Sequence, residues 1–151
     1  MAALEFRYNG PTLTPNANPF TLYQIIAAAN TRAKLRAIQL IPQGSTGASV
    51  PLLFDAVTQT GAGALAADAA NVVKEHPQAA ETIQTTFLAN TAPGAEPAGP
   101  VQQFKFSIHQ QTGGAWWVPP KPIIIVGGQR LGFRNIGGVL VATALVFYME
   151  E

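Results

Sequence analysis

Residues 101–110 read VQQFKFSIHQ, and this stretch decides the fold class. Phe104, Phe106 and Ile108 alternate with polar neighbours. Because successive side chains of a β-strand point to opposite faces, this period of two predicts a strand with one buried and one solvated face. The same alternation occurs at residues 4–8 (LEFRY). Repeated strands of this kind predict an all-β protein.

Segments rich in glycine and proline separate the predicted strands. Residues 42–49 (PQGSTGAS) and 89–100 (ANTAPGAEPAGP) have this composition, which is typical of surface loops. Long crossing segments such as 61–80 and 89–100 favour Greek-key or jelly-roll connections over a simple meander. We therefore predict a single domain, residues 1–151, that forms a jelly-roll-like β-sandwich of roughly eight or nine strands.

Three segments carry more specific structural predictions. Residues 64–75 (ALAADAANVVKE) are rich in alanine and contain no glycine or proline, which predicts one short helix or a long loop insertion. Residues 122–126 (PIIIV) predict a strand covered on both faces, followed by a tight hairpin at Gly127 and Gly128. Residues 138–148 are apolar on both faces, which predicts the longest strand, placed centrally or covered by a neighbouring subunit.

Composition excludes several functional classes. Charged residues make up 11% of the 151 residues, and the net charge is +1, whereas about 25% is typical. So neutral a chain is not expected to bind nucleic acid. Cysteine is absent, so no disulfide, thiolate zinc site or cysteine nucleophile exists. Because so little charge is left for the exterior, we infer that other protein copies cover much of the surface.

The other segments give no sign of a membrane protein or an exported precursor. The apolar run at residues 137–148 has 12 residues, whereas a membrane helix needs about 20. The first residues, MAALEFR, do not have the pattern of a signal peptide. We therefore expect no membrane partner.

Candidate catalytic and metal-binding residues are sparse. His76 and His109 are the only histidines, and each is expected to be a surface or hydrogen-bonded imidazole. Asp68, Glu75 and His76 are the nearest approach to a metal site, and they lack a second histidine. Asp55 lies in an apolar run and is expected to point outward or pair with an arginine. We therefore expect no enzyme, no cofactor, no metal and no small-molecule substrate.

Two features suggest contacts with a partner. Arg32, Lys34 and Arg36 are spaced by two, so on a strand they line one face, either as a solvated surface or as a contact for an acidic partner. Trp116 and Trp117 are neighbours, so on an extended chain one ring enters the core and the other is available to a partner. Stacking on a sugar is the rival use of the available ring.

A series of short motifs runs along nearly the whole chain. They are TPNANPFTL at 14–22, AKLRAI followed by a Gly/Ser/Thr loop and VP within 33–51, TGAG at 60–63, AEP at 95–97, WVPP at 117–120, GGQRLGFR at 127–134 and FYMEE at 147–151. Their order resembles a family of small structural proteins of tailed bacteriophages, the capsid decoration or cement proteins. Residues 64–75 have no counterpart in the resemblance.

The resemblance implies a non-enzymatic virion protein. Such a protein forms a homotrimer, binds the major capsid protein on the outer capsid surface and stabilises the shell. No catalytic residues are implied, and we predict that both terminal segments act as arms that reach neighbouring copies. The alternative is a receptor- or carbohydrate-binding β-sandwich module of a phage fibre or cell surface, with Trp116 or Trp117 as a stacking platform. A hydrolase that uses His109 or Asp55 is the third possibility.

Overall fold

A computed structural model describes residues 3–16, 19–43, 51–91, 94–109, 113–137 and 141–151. The described residues form twelve strands and no helix, so none of their elements is a helix that could span a membrane. The strands are β1 Glu5–Asn9, β2 Phe20–Ile26, β3 Arg32–Pro42, β4 Pro51–Gln59, β5 Ala66–Ala67, β6 Val72–Lys74, β7 Thr86–Ala89, β8 Val101–His109, β9 Ala115–Trp117, β10 Ile123–Val126, β11 Arg130–Gly137 and β12 Thr143–Glu150. The predicted all-β class is confirmed.

Two antiparallel six-stranded sheets pack face to face as a β-sandwich. In sheet A the order is β10-β3-β12-β1-β6, and β9 pairs with β3 on the same side as β10. In sheet B the order is β5-β7-β2-β11-β4-β8. The jelly-roll connection pattern is not confirmed by this strand order. The strand number is also higher than the predicted eight or nine, because short strands such as β5, β6 and β9 pair onto the sheets.

Aromatic side chains hold the two sheets together. Phe147 of sheet A lies 4.7 Å from Phe133 of sheet B and 5.6 Å from Tyr23, measured between ring centroids. Tyr8 of sheet A stacks on Phe87 of sheet B at 4.4 Å. Burying an aromatic side chain of this size contributes about 1.5–3 kcal/mol. The buried apolar residues of both sheets form one continuous cluster.

The segment 64–75 is a long crossing, one of the two predicted alternatives, and it contains two short strands and no helix. Strand β5 pairs with β7 of sheet B, and β6 pairs with β1 of sheet A, so the segment crosses between the sheets. The Tyr8 hydroxyl donates a hydrogen bond to Asp68 in the middle of the crossing (2.8 Å). Strand pairing and this anchor override the helix preference of alanine.

The two ends of the chain are also placed differently from the prediction. Strands β1 and β12 pair over five residues, and the Leu4 and Glu151 backbones exchange two hydrogen bonds beyond them. The described terminal segments therefore lie inside sheet A and do not extend as arms. Strand β12 is central, as predicted, but β3, with 11 residues, is the longest strand. Residues 138–140 lie outside the described ranges.

Strand β10 and the turn after it show two further differences. Strand β10 was expected to be covered on both faces, yet it lies at the edge of sheet A with Ile124 and Val126 exposed. The predicted hairpin is a tight turn, closed by a hydrogen bond from the Gln129 amide to the Val126 carbonyl (2.9 Å). It leads from sheet A to sheet B, so it joins no paired strands. Gly128 has a φ of +77°, which favours glycine.

Candidate functional site

The two tryptophans take opposite sides of sheet A, as their adjacency predicts. Trp117 points inward and stacks on Phe104 of sheet B, with centroids 4.4 Å apart and planes 17° apart. Trp116 points outward, pairs in register with Gln39 and remains 59% exposed. Trp117 is therefore part of the sandwich packing, and Trp116 is the ring available to a partner.

Trp116 forms one wall of a groove on the outer face of sheet A. Its ring lies 4.9 Å from that of Tyr148, a residue of β12, although β3 runs between their two strands. The rings can approach because the β3 residue opposite Tyr148 is the small Ala37. The groove, about 470 Å³ in volume, is lined by Glu5, Phe6, Arg36, Ala37, Glu75, Trp116, Val118, Tyr148 and Met149. We call it the Trp116 groove.

The predicted row of cations lies on this same outer face, but two of its members are paired within the chain. Lys34 forms an ion pair with Glu150, and Arg36 forms one with Glu5. Arg36 also lies 3.7 Å from Glu150. Arg32 is exposed and has no ion pair or hydrogen bond among the described residues. A contact between these cations and an acidic partner stays a prediction.

A β-bulge ends the alternation of β3 directly after the row of cations. Tyr148 pairs with Ala37 and Met149 with Leu35, so Arg36 has no register partner on β12. The bulge therefore leaves Ala37 on the outer face next to Arg36 and moves Ile38 to the inner face. The spacing of two holds for all three cations and ends after Arg36.

Exposed apolar side chains collect at one side of the sandwich, where β8 and β10 form the edges of the two sheets. Val101 is 60% exposed, Ile124 53% and Val126 37%. Two shallow clefts that share Gln129 and Arg130 connect Val101 with Ile124. We call these three residues the edge patch. Neither edge strand has a partner on its outer side among the described residues.

Two loop segments, 60–65 and 94–99, attach to the outer face of sheet B at β2. The segments bind each other, since the Ala64 amide donates to the Ala95 carbonyl (2.9 Å). Glu96 accepts hydrogen bonds from the Thr21 amide (2.9 Å) and the Thr21 hydroxyl (2.6 Å). Gln24, which points outward from β2, donates to the Gly61 carbonyl (2.9 Å). This face therefore uses its polar groups to hold its own loops.

Polar groups under and beside these loops form one connected set. Gln24 Nε2 donates to Gln59 Oε1 (2.8 Å), and Gln59 Nε2 donates to Thr21 Oγ1 (3.0 Å). Arg130 Nη1 donates to Gln24 Oε1 (2.8 Å). Gln24 and Gln59 are buried. Satisfied buried amides of this kind stabilise and orient the loops.

Asp55 pairs with an arginine, as the sequence predicted. Arg134 donates to it through Nε (2.9 Å) and Nη2 (2.7 Å), and Gln102 Nε2 adds a third hydrogen bond (3.1 Å). The carboxylate is 2% exposed. A buried carboxylate with two-point pairing of this kind has a structural role.

The three residues considered as metal ligands do not converge. Asp68 accepts hydrogen bonds from Tyr8 and from Asn71 (2.8 Å each), and Glu75 lies 3.5 Å from Arg7. His76 is exposed on the connection after β6. Across the described ranges, no three histidine or acidic side chains are close enough to hold a metal ion.

Sequence reasoning missed part of both surfaces. Tyr148 and Ala37 build the Trp116 groove, and Val101 completes the edge patch. Alternation in the FYME segment places Tyr148 on the outer face, so a signal for that residue existed. Nothing in the sequence indicated that Ala37 would lie on the strand that separates Trp116 from Tyr148, because this depends on which strands neighbour β3.

Comparisons with known protein families, with curated proteins and with solved structures found no match to this chain. The resemblance to phage decoration proteins therefore remains a prediction from sequence motifs. Function has to be inferred from the two exposed surfaces, the edge patch and the Trp116 groove.

Proposed function

We propose that the protein is a non-enzymatic virion structural protein of the capsid decoration or cement type. It assembles as a homotrimer and binds the major capsid protein on the outer surface of the shell. The observation that carries this proposal is the edge patch, since Val101, Ile124 and Val126 expose apolar surface at one side of the sandwich. In a chain with only 11% charged residues, such a surface is suited to permanent contact with protein.

The strand edges beside the patch strengthen this choice. Strand β10 consists of Ile-Ile-Ile-Val and has no charged residue, whereas β8 carries Lys105 near its middle. Proteins usually protect free edges with charge, proline or bulges. An uncharged edge strand with exposed apolar side chains is therefore a suitable place for another chain to bind.

The cations of β3 border the patch. Lys34 pairs in register with Ile124, and Arg32 with Val126, so both cations lie on the same face as the apolar side chains. Because Lys34 is already paired with Glu150, Arg32 is the cation beside the patch that suits an acidic group on the shell. Each such contact is modest, but a trimer on a lattice makes several at once, and their effects multiply.

A co-sedimentation experiment with heads of the encoding phage tests the proposal. Val126→Asp places a charge in the edge patch, and Val73→Asp is the matched control because Val73 is 39% exposed on β6, at the opposite edge of sheet A. We expect wild type and Val73→Asp to sediment with the heads. Val126→Asp is expected to lose at least tenfold in affinity, since a carboxylate in an apolar contact is costly.

Two results would contradict the proposal. Wild-type protein that stays in the supernatant at every concentration would remove the shell-binding function. Equal sedimentation of Val126→Asp and wild type would show that the edge patch does not make the contact. Circular dichroism of both variants checks that each one folds.

A further inference from the structure

We propose that the Trp116 groove is a binding site for a neutral oligosaccharide. This inference goes beyond the shell contact and does not rest on it, because the groove and the edge patch share no residues. It assigns the exposed tryptophan, which the shell contact does not need, to a ligand of defined chemistry.

The groove has the size and rigidity that a small-ligand site needs. Its volume of about 470 Å³ lies within the range of roughly 300–1,000 Å³ typical of such sites. Its walls stand on paired strands, because β9 pairs with β3 and β12 lies between β3 and β1. The two rings are held in place before a ligand arrives, so little conformational freedom is lost on binding.

The aromatic pair supplies the apolar contact that a sugar ring requires. A pyranose has one face of C–H groups, and an indole ring offers a flat surface for that face together with an N–H donor. Trp116 is 59% exposed, and its plane is tilted by 32° from that of Tyr148. With centroids 4.9 Å apart the two rings stack on each other with an offset, so Tyr148 supports the indole and the exposed face of Trp116 is left for one sugar ring.

The charged groups at the rim point to a neutral ligand. Glu5 and Glu75 provide two negative charges, and their partners Arg36 and Arg7 provide two positive ones. An anionic ligand would face the two carboxylates, and a cationic ligand would face the guanidinium groups. Sugar hydroxyls both donate and accept hydrogen bonds, so they can bind both kinds of group without separating unlike charges.

A peptide or second protein copy is a weaker match for the same groove. Protein contacts favour an apolar centre that is depleted in charge, and that description fits the edge patch. In the Trp116 groove the ion pair of Arg36 with Glu5 lies directly beside the ring. A macromolecule that covered this pair fully would have to desolvate it, whereas a sugar leaves it partly hydrated.

The test is an array of immobilised neutral and acidic glycans, followed by titration of the best hit while tryptophan fluorescence is recorded. We expect wild type to bind neutral glycans with an affinity that changes little with salt. Trp116→Ala should weaken binding by about tenfold or more. Ala37→Leu should do the same by filling the groove, with Trp116 still present. Val126→Asp, the variant that breaks the proposed shell contact, should bind sugar like wild type.

Three results would overturn the inference. One is a wild-type protein that binds no neutral glycan on the array. Another is a Trp116→Ala variant that binds as tightly as wild type. The third is a Trp116→Ala variant that no longer binds heads while its glycan binding equals that of wild type, which would assign the ring to the shell contact. Because each surface has its own variant, failure of the sugar site and failure of the shell contact are distinguishable.

Discussion

The outer faces of the two sheets carry polar residues in similar positions and use them differently. On sheet B, the loops 60–65 and 94–99 cover the part of the face at β2, and Gln24, Gln59 and Glu96 hold them through hydrogen bonds. On sheet A, no described loop lies over the exposed Trp116, and the polar groups beside it form ion pairs. We call the first the covered face and the second the open face.

This difference shows why residue type alone did not identify the site. Glu96 lies in a loop and Glu5 lies at the start of β1. Glu96 anchors its loop, whereas Glu5 borders the Trp116 groove. The deciding factor is whether another segment of the chain lies over the face.

The largest effect is expected on the covered side, at the ion pair of Asp55 with Arg134. Arg134→Ala leaves a buried carboxylate without its partner and should lower the free energy of unfolding by about 3–5 kcal/mol. Urea unfolding followed by circular dichroism measures this. The double variant Asp55→Leu with Arg134→Leu should recover part of the loss, because both charges are removed. A loss below about 1 kcal/mol in Arg134→Ala would mean that the pair behaves like a surface pair.

The second effect comes from the interior between the two faces. Burial raises the pKa of Tyr8 well above its usual range, and its hydrogen bond to Asp68 adds to the shift. Burial likewise raises the pKa of Tyr23. Both phenols thus stay protonated in the folded protein above pH 10, where those of the unfolded chain ionise. The stabilising contribution is complete below about pH 10 and is lost as the pH rises further.

The free energy of unfolding should fall by about 3 kcal/mol between pH 9 and pH 11. Each of the two tyrosines contributes about 1.4 kcal/mol to this fall, over the one pH unit above the ordinary phenol pKa of about 10. Urea unfolding at a series of pH values measures the slope. Tyr8→Phe should halve it. A free energy that stays level up to pH 11 would contradict the buried, protonated state of both phenols.

The third effect concerns the loop over sheet B. Glu96→Gln weakens the charge-assisted hydrogen bonds to Thr21, so it should lower the free energy of unfolding by about 1–2 kcal/mol. It should also speed hydrogen exchange at the Thr21 amide. Glu75→Gln is the matched change on the open face and should cost less than about 0.5 kcal/mol. If both variants lowered the free energy of unfolding equally, the carboxylates of the two faces would not differ in their contribution to stability.

The smallest effect is expected for the ion pairs of the open face. Arg36→Ala removes an exposed pair with Glu5 and should change the free energy of unfolding by about 1 kcal/mol or less. The change should shrink further in 1 M salt, because screening weakens exposed pairs. Unfolding at low and high salt tests this. If Arg36→Ala lowered the free energy of unfolding by several kcal/mol, the ion pairs of this face would stabilise the fold as strongly as the polar groups of the covered face.

The sequence predicted the parts of the fold that depend on local alternation. Strand β8 and the opposite directions of Trp116 and Trp117 follow from the period of two, and the pairing of Asp55 with an arginine follows from its apolar neighbours. These predictions needed only the residues beside each position.

Features that depend on distant neighbours were not predictable in this way. Of the two alternatives predicted for residues 64–75, the long crossing is the one observed, and pairing with β7 and β1 adds the short strands β5 and β6 to it. Strand β10 read as covered, but its place at the edge of sheet A exposes Ile124 and Val126. The bulge at Arg36 depends on the register of β12, which no spacing within β3 reveals.

We proposed that other copies of the chain cover much of the surface. The most direct test of this proposal is the mass of the purified protein in solution. Sedimentation equilibrium at micromolar concentration should give three times the 15.9 kDa of the chain, and Val126→Asp, which alters the shell contact, should give the same mass. A wild-type protein that sediments at 15.9 kDa across the whole concentration range would contradict the proposed homotrimer.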